Sequence, residues 1–111
     1  MSMKALPPIT NLQYLVLDAL HQEERAGRDL RELLASFGIK NSAPAFYQMM
    51  ARLESAGLAE GWYDQKLVGG QNVKEQRYRL TRAGARAAAS TRQFYLARAG
   101  VLSPARRGAH G

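Results

Sequence analysis

The chain has 111 residues, of which 46% are hydrophobic and 23% are charged. This composition is typical of a single globular domain with a small core, and it excludes collagen-like and wholly disordered classes. The absence of cysteine excludes disulfides, thiolate metal sites and a cysteine nucleophile. The sequence shows neither a membrane-spanning apolar run nor a secretory signal, so we expect a cytoplasmic protein with no membrane partner.

The net charge of +7 is unevenly distributed along the chain. Residues 1–73 carry seven basic and eight acidic side chains, whereas residues 74–111 carry nine basic side chains and one acid, Glu75. Such asymmetry favours a polyanionic partner, most often nucleic acid and less often an acidic protein or a membrane surface. A solvated basic face that aids solubility is the alternative.

Apolar residues recur at helical spacing in three stretches of the first half, within residues 12–20, 26–37 and 46–53. Residues 1–8 form a lead-in, and the polar residues 21–25 are expected to be a connection. Each helix also has local signals for its start or its end. The candidate N-caps are Thr10 or Asn11 and Ser42, and the residues expected to end the second and third helices are Gly38 and Gly57.

The pattern changes period in the second half. Residues 58–63 include strand-favouring aromatic side chains, and residues 73–80 alternate between two faces. The polar residues 64–72, which include two consecutive glycines, lie between them. This arrangement predicts a β-hairpin with a long tip.

An alanine-rich segment follows the hairpin. Thr81 is expected to cap a fourth helix over residues 82–99 that ends at Gly100, and residues 100–111 have the composition of a flexible basic tail. The apolar stripe predicted for this helix consists of Ala83, Ala87, Thr91, Phe94 and Tyr95.

Three helices, a two-stranded hairpin and a further helix follow the order of a winged helix-turn-helix. We therefore expect a mainly α fold with a small β-hairpin, with a winged domain over residues 9–81 and its wing at about 58–80. Residues 46–58 carry an apolar-Tyr pair, Arg-Leu-Glu and a Gly, and residues 78–84 read Tyr-Arg-Leu-Thr-x-x-Gly. Both segments resemble the PadR-like transcriptional regulators, in the short form with a single C-terminal helix.

The resemblance implies a homodimeric repressor that binds a pseudo-palindromic operator in double-stranded DNA. It also implies control by a small molecule, although no residue identifies an inducer, and pairing of the C-terminal helix across a two-fold axis. A stripe that ends in two aromatic residues is itself natural in a dimer interface, and packing on its own domain is the alternative. The residues predicted at the interface are Leu12, Leu15, Phe94 and Tyr95.

The outward face of the predicted third helix is slim and polar, which suits an element that enters the major groove. Gln48 can pair with adenine and Arg52 with guanine, and the small Ala45 permits close approach. We predict base contact by Gln48 and phosphate or base contact by Ser42, Tyr47 and Arg52. The residues predicted to place the wing on the backbone or in the minor groove are Lys66, Gln71, Asn72 and Lys74. An ordinary solvated helix face and a surface turn are the alternatives.

Other functions have less support in the sequence. The two histidines, His21 and His110, have no carboxylate at a motif spacing, so we predict no catalytic residue, metal ligand or cofactor. A winged-helix module that docks an acidic protein through its basic fourth helix, without reading DNA, is the second hypothesis. RNA binding is a third, for which the sequence offers no stacking platform.

Overall fold

The computed structural model describes residues 9–102, which form four helices and three strands. The predicted lead-in over residues 1–8 and residues 103–111 of the predicted tail lie outside this range. Within it, no helix is long and apolar enough to cross a membrane. The elements are α1 (Asn11–Gln22), β1 (Arg25–Ala26), α2 (Gly27–Ser36), α3 (Ala43–Ser55), β2 (Ala59–Val68), β3 (Gln71–Leu80) and α4 (Arg82–Leu102).

The helix ends follow the predicted capping residues. Thr10 accepts a hydrogen bond from the Gln13 backbone at 3.1 Å and donates its own N–H to the Gln13 side chain at 3.0 Å, so α1 begins with a capping box. Ser42 accepts from a first-turn N–H of α3 at 3.2 Å. Gly38 and Gly57 lie in the left-handed region, with φ of 85° and 77°. Each glycine and the residue after it donate to the last carbonyls of the preceding helix, and these bonds end α2 and α3.

The core lies between α1, α2, α3 and the base of the hairpin. The apolar stripe predicted for α3 is buried, which leaves the opposite face of that helix free. Phe37 does not belong to the α2 stripe, contrary to the prediction, because it is the C-cap residue and lies outside the helical turns. Its side chain is 58% exposed. The largest fully buried side chains include Val16, Leu17, Leu30, Phe46, Met50, Leu53 and Tyr78.

The sheet has three antiparallel strands in the order β1-β3-β2. The sequence pattern missed β1 and treated residues 21–25 as a connection. In the structure α1 continues to Gln22, and Arg25 then pairs with Tyr78. A strand of two residues is too short to show alternation, and its pairing depends on a segment about fifty positions away.

The hairpin has a tight turn in place of the predicted long tip. Val68 pairs with Gln71, and the two residues between them, Gly69 and Gly70, have φ of 58° and 80°. Two positive φ angles in a two-residue loop are typical of a type I′ turn. The strands extend this far because backbone pairing continues where the side chains of both faces are exposed. Such a segment shows no alternation of apolar and polar residues, so the sequence pattern did not indicate a strand there.

Helix α4 begins where the prediction placed it. The Thr81 hydroxyl accepts from the Gly84 N–H at 2.9 Å and donates to the Gly57 carbonyl at 2.6 Å, so the cap also ties α4 to the end of α3. The helix continues through Gly100 to Leu102, and the predicted end at Gly100 is wrong. A single glycine weakens a helix without ending it when the backbone hydrogen bonds continue.

The buried face of α4 is turned slightly from the predicted stripe. Ala88 and Thr91 are buried, and the Thr91 hydroxyl donates to the Ala87 carbonyl at 2.8 Å. Arg92 pairs with Asp18 of α1 at 3.2 Å. The first half of α4 therefore packs on the domain, while Tyr95 remains 43% exposed.

Candidate nucleic-acid interface

The outward face of α3 has the composition that the sequence predicted. Because Phe46, Met50 and Leu53 anchor the helix in the core, the residues between them point to solvent. The face is narrow because most of its side chains are small. Its two long side chains, Gln48 and Arg52, end in an amide and a guanidinium that can form hydrogen bonds. The exposed residues of this face are Ala45, Gln48, Ala51, Arg52 and Ser55.

Tyr47 lies at the border of this face, held against the start of α2. A Cβ atom on Gly27 would lie 2.8 Å from both the ring and the hydroxyl of Tyr47, so a larger residue there would require the Tyr47 ring to move. The Tyr47 ring also packs edge-on against Phe46, with centroids 5.0 Å apart. The Tyr47 side chain therefore fills the space between the start of α2 and α3.

One face of the hairpin looks towards α3 across an open groove of about 470 Å³. Lys74 lies on this side, with its ammonium 4.9 Å from the centroid of the Tyr63 ring. Tyr78 forms the buried end of the groove, where burial first, and then the nearby Glu54 carboxylate, raise the pKa of its hydroxyl. The residues that line the groove are Tyr47, Ala51, Glu54, Tyr63, Lys74, Gln76 and Tyr78.

A second groove, of about 420 Å³, runs from the hairpin to α2 and shares Tyr47, Lys74 and Gln76 with the first. Four cations and one acid line it, so it has the charge that a phosphate backbone would require. Two of the cations come from α2 and two from the hairpin. They are Arg28, Arg31, Lys66 and Lys74, and the acid is Glu75.

Glu75 is the centre of an ion cluster at this groove. Its carboxylate lies 3.1 Å from Arg77, 3.3 Å from Arg28 and 3.6 Å from Lys66. Partial burial tends to raise the pKa of Glu75, but the hydrogen bond from Arg77 and the charges of the three cations outweigh it, so the pKa lies below its ordinary value. The cluster joins the wing to the start of α2.

The structure gathers some predicted residues and separates others. Tyr47, Lys66 and Lys74 line the grooves. Gln71 and Asn72 are exposed beside the turn, which forms the far end of the wing. Ser42 is exposed at the start of α3, where its oxygen caps the helix and its hydroxyl proton remains available to donate.

Arg28 and Arg31 are groove residues that the sequence reading missed. A signal was present, because residues three apart share one face of a helix, and both belong to α2. Arg31 also donates to the Asn41 carbonyl at 3.2 Å, which fixes its guanidinium beside the connection to α3. No group of three acidic or histidine side chains that could hold a metal occurs within residues 9–102.

The predicted dimer residues lie on α1 and α4, and none of them lines either groove. Leu12 and Leu15 are half-buried against the core, and Phe94 is half-buried on α4. The Phe94 and Tyr95 rings pack edge-on at 5.1 Å, and Leu96 beside them is 64% exposed. An apolar surface therefore remains on α4, and its role in dimer formation stays a prediction.

Three helices with a hairpin against α3, extended by α4, define a winged helix-turn-helix protein. No protein-family model and no curated protein sequence matches the chain. Solved structures do match it. A padr family transcriptional regulator from Eggerthella lenta is 33% identical to this chain and superposes with a TM-score of 0.61. The alignment covers 80% of this chain and 79% of the Eggerthella lenta chain. At this identity and coverage the relationship is one of family, and the chain belongs to the PadR family of transcriptional regulators.

Two further structures share the fold at lower identity. A PadR family transcription regulator from Clostridium difficile is 17% identical, with coverage of 86% of this chain and 97% of its own and a TM-score of 0.73. Bacillus subtilis PadR, solved in complex with operator DNA, is 18% identical with a TM-score of 0.59. It covers 73% of this chain, and this chain spans 46% of it.

Proposed function

We propose that the protein is a sequence-specific regulator that binds double-stranded DNA as a homodimer and represses transcription by occluding a promoter. The observation that carries the proposal is the placement of four groove cations beside the slim outward face of α3. The solved complex of Bacillus subtilis PadR with operator DNA supports it by analogy within the family. The proposed role is non-catalytic and needs no cofactor.

Each part of the surface has a distinct task in this proposal. Gln48 and Arg52 lie one turn apart on α3 and would contact base edges in the major groove. Lys66 and Lys74 would neutralise phosphates together with the α2 arginines, which sets the register of the protein without reading sequence. The exposed end of the wing, with Gln71 and Asn72, would follow the backbone into the minor groove.

The dimer sets the form of the operator. Two copies related by a two-fold axis would place their α3 helices in successive major grooves, about 34–36 Å apart, on a pseudo-palindromic site. The exposed aromatic and aliphatic residues of α4 are the proposed contact, together with Leu12 and Leu15 of α1. A small molecule that binds near this interface, as the family resemblance implies, would alter the spacing of the two α3 helices.

The test is selection from a random duplex library, followed by affinity measurements on the recovered sequence and on a mixed-sequence duplex. We expect a palindrome, and affinity that falls with salt at a log–log slope of about −0.9 per neutralised phosphate. Gln48→Ala should lose about 1 kcal/mol for the palindrome and relax the preference at one position in each half-site. Lys74→Gln should weaken both duplexes alike.

The control variant is Ser36→Ala, which changes an exposed residue at the end of α2 outside both grooves and should leave both affinities unchanged. Enrichment of no sequence would contradict the proposal and would favour the second hypothesis, in which α4 docks an acidic protein. Equal binding of single-stranded RNA would contradict the choice of duplex DNA.

A further inference from the structure

Glu75 is the single acid among the ten charged residues of the last third of the chain, and it lies within the proposed DNA interface. Its side chain is only 10% exposed, although the hairpin around it is open to solvent. An acid in this position is unexpected, because it would repel a phosphate backbone that the four groove cations attract.

The Glu75 cluster consists of this carboxylate and three cations, Arg28, Lys66 and Arg77. Glu75 holds the three cations unequally. Arg77 is 21% exposed, donates to Glu75 at 3.1 Å and also pairs with Glu24 at 3.4 Å, so it has two acids. Arg28 and Lys66 are 66% and 54% exposed and reach Glu75 at 3.3 Å and 3.6 Å. Among residues 9–102 Glu75 is their one acidic partner within ion-pair distance.

This asymmetry permits exchange of partners. Carboxylate and phosphodiester oxygens accept hydrogen bonds from the same cations, and exposed ion pairs are weak enough to be replaced. If Arg28 and Lys66 turn to a phosphate, Glu75 keeps its hydrogen bond to Arg77 and is not left as an unpaired charge in a nearly buried position. The low pKa of Glu75 keeps the carboxylate ionised, and so able to hold the cations, at neutral pH.

We propose that Glu75 is an internal competitor of the DNA backbone, which holds Arg28 and Lys66 in the free protein and releases them to phosphates only in the sequence-specific complex. This inference rests on the proposed function. Non-specific binding depends on cations alone, so it is weakened when two of them are occupied. In the specific complex the base contacts of α3 fix the phosphates in register, so Arg28 and Lys66 can leave Glu75 there. Glu75 thereby withholds two cations from non-specific DNA, and it lowers the affinity for the specific site by the cost of their release.

The experiment compares Glu75→Gln with Glu60→Gln. Both variants remove one negative charge from the same hairpin, but Glu60 pairs with one exposed cation, Arg79, at 2.7 Å and lies outside the groove. Binding to a short mixed-sequence duplex and to the selected palindrome is measured by fluorescence anisotropy between about 50 and 200 mM salt. The charge-matched control separates a local effect from that of net charge.

We expect Glu75→Gln to bind the mixed-sequence duplex about fivefold more tightly, the scale of one or two exposed ion pairs. Its salt slope should be steeper by about 0.9 for each cation released. The palindrome should gain at least as much affinity, because the cost of exchange disappears, but its salt slope should stay unchanged, since both cations already contact phosphates in the wild-type complex. Glu60→Gln should change neither affinity by more than about twofold, as for an exposed pair outside the interface.

A second variant makes the result independent of how well Glu75→Gln folds. Arg28→Gln should weaken the palindrome more than the mixed-sequence duplex, because only the specific complex uses Arg28. In the double variant with Glu75→Gln, the gain on the mixed-sequence duplex should shrink. Equal effects of Glu75→Gln and Glu60→Gln, or equal loss of both duplexes in Arg28→Gln, would overturn the inference alone. Wild-type protein that binds neither duplex at the lowest salt would overturn the proposed function as well.

Discussion

The hairpin and α4 leave the same junction at Thr81, yet they present opposite surfaces. The hairpin carries two of the four groove cations, Lys66 and Lys74, whereas α4 carries exposed apolar side chains at Tyr95 and Leu96. A polar groove rimmed by cations suits a polyanion, and an apolar helix surface suits another protein chain. The two proposed partners, DNA and a second protein chain, would therefore bind different elements of one small fold, the hairpin side and α4.

The distribution of charge along the chain differs from its distribution in the folded protein. Three basic residues of the last third pair with acids from earlier segments, Arg77 with Glu24, Arg79 with Glu60 and Arg92 with Asp18. Three of the four groove cations instead come from residues 1–73, the part with a slight negative balance. The excess charge predicted a polyanionic partner, but it did not indicate where that partner would bind.

The largest expected effect comes from the junction itself. A Cβ atom on Gly84 would lie 2.0 Å from the Leu58 carbonyl oxygen, a backbone atom that no side-chain rotation can move. We expect Gly84→Ala to lower the free energy of unfolding by about 3 kcal/mol, since strain outweighs the gain in helix propensity. Urea denaturation measures it, and the exposed Ser90→Ala on the same helix is the control. Unchanged stability of Gly84→Ala would show that α4 can shift away from the hairpin at little cost.

The parts of the fold that the sequence predicted depend on local signals. Thr10, Ser42 and the glycines after α2 and α3 act on backbone groups within a few residues, and the face of α3 follows from the spacing of its apolar side chains. These features need no knowledge of distant segments. They include the outward face of α3, with Gln48 and Arg52 exposed as predicted.

The parts that could not be predicted depend on contacts across the chain. Arg28 and Glu75 are 47 positions apart, and no local pattern marks their pairing. The short β1 strand and the full length of the hairpin are likewise set by backbone pairing, which leaves no alternation in exposed segments. The α3 face was therefore predictable, whereas the groove that joins it to α2 and the wing was not.

The second-largest expected effect concerns the exposed apolar residues of α4 and the proposed dimer. Leu96→Arg places a charge in the proposed dimer contact, and we expect it to weaken the dimer by about 2 kcal/mol, or roughly 30-fold. Sedimentation equilibrium measures the change. Leu67→Arg is the matched control, because Leu67 is 71% exposed on the hairpin and the same substitution there should leave the dimer intact. Equal sensitivity at both positions, or no dimer in the wild type, would contradict the assignment of α4 to a protein partner.

The smallest expected effect is the pH dependence of the stability that Glu75 contributes. Because the folded protein lowers the pKa of Glu75 below its ordinary value of 4.5, the ionised carboxylate stabilises the fold. This contribution is complete above the unfolded pKa and is lost as the pH falls through the lower, folded pKa. Wild type should therefore be more stable than Glu75→Gln at pH 6, and the difference should shrink as the pH falls below about 4. Urea denaturation at both pH values tests this, with Glu60→Gln as the control. If the difference instead stayed constant through the acid range, the Glu75 carboxylate would contribute through packing, and the ion cluster would not hold the wing to α2.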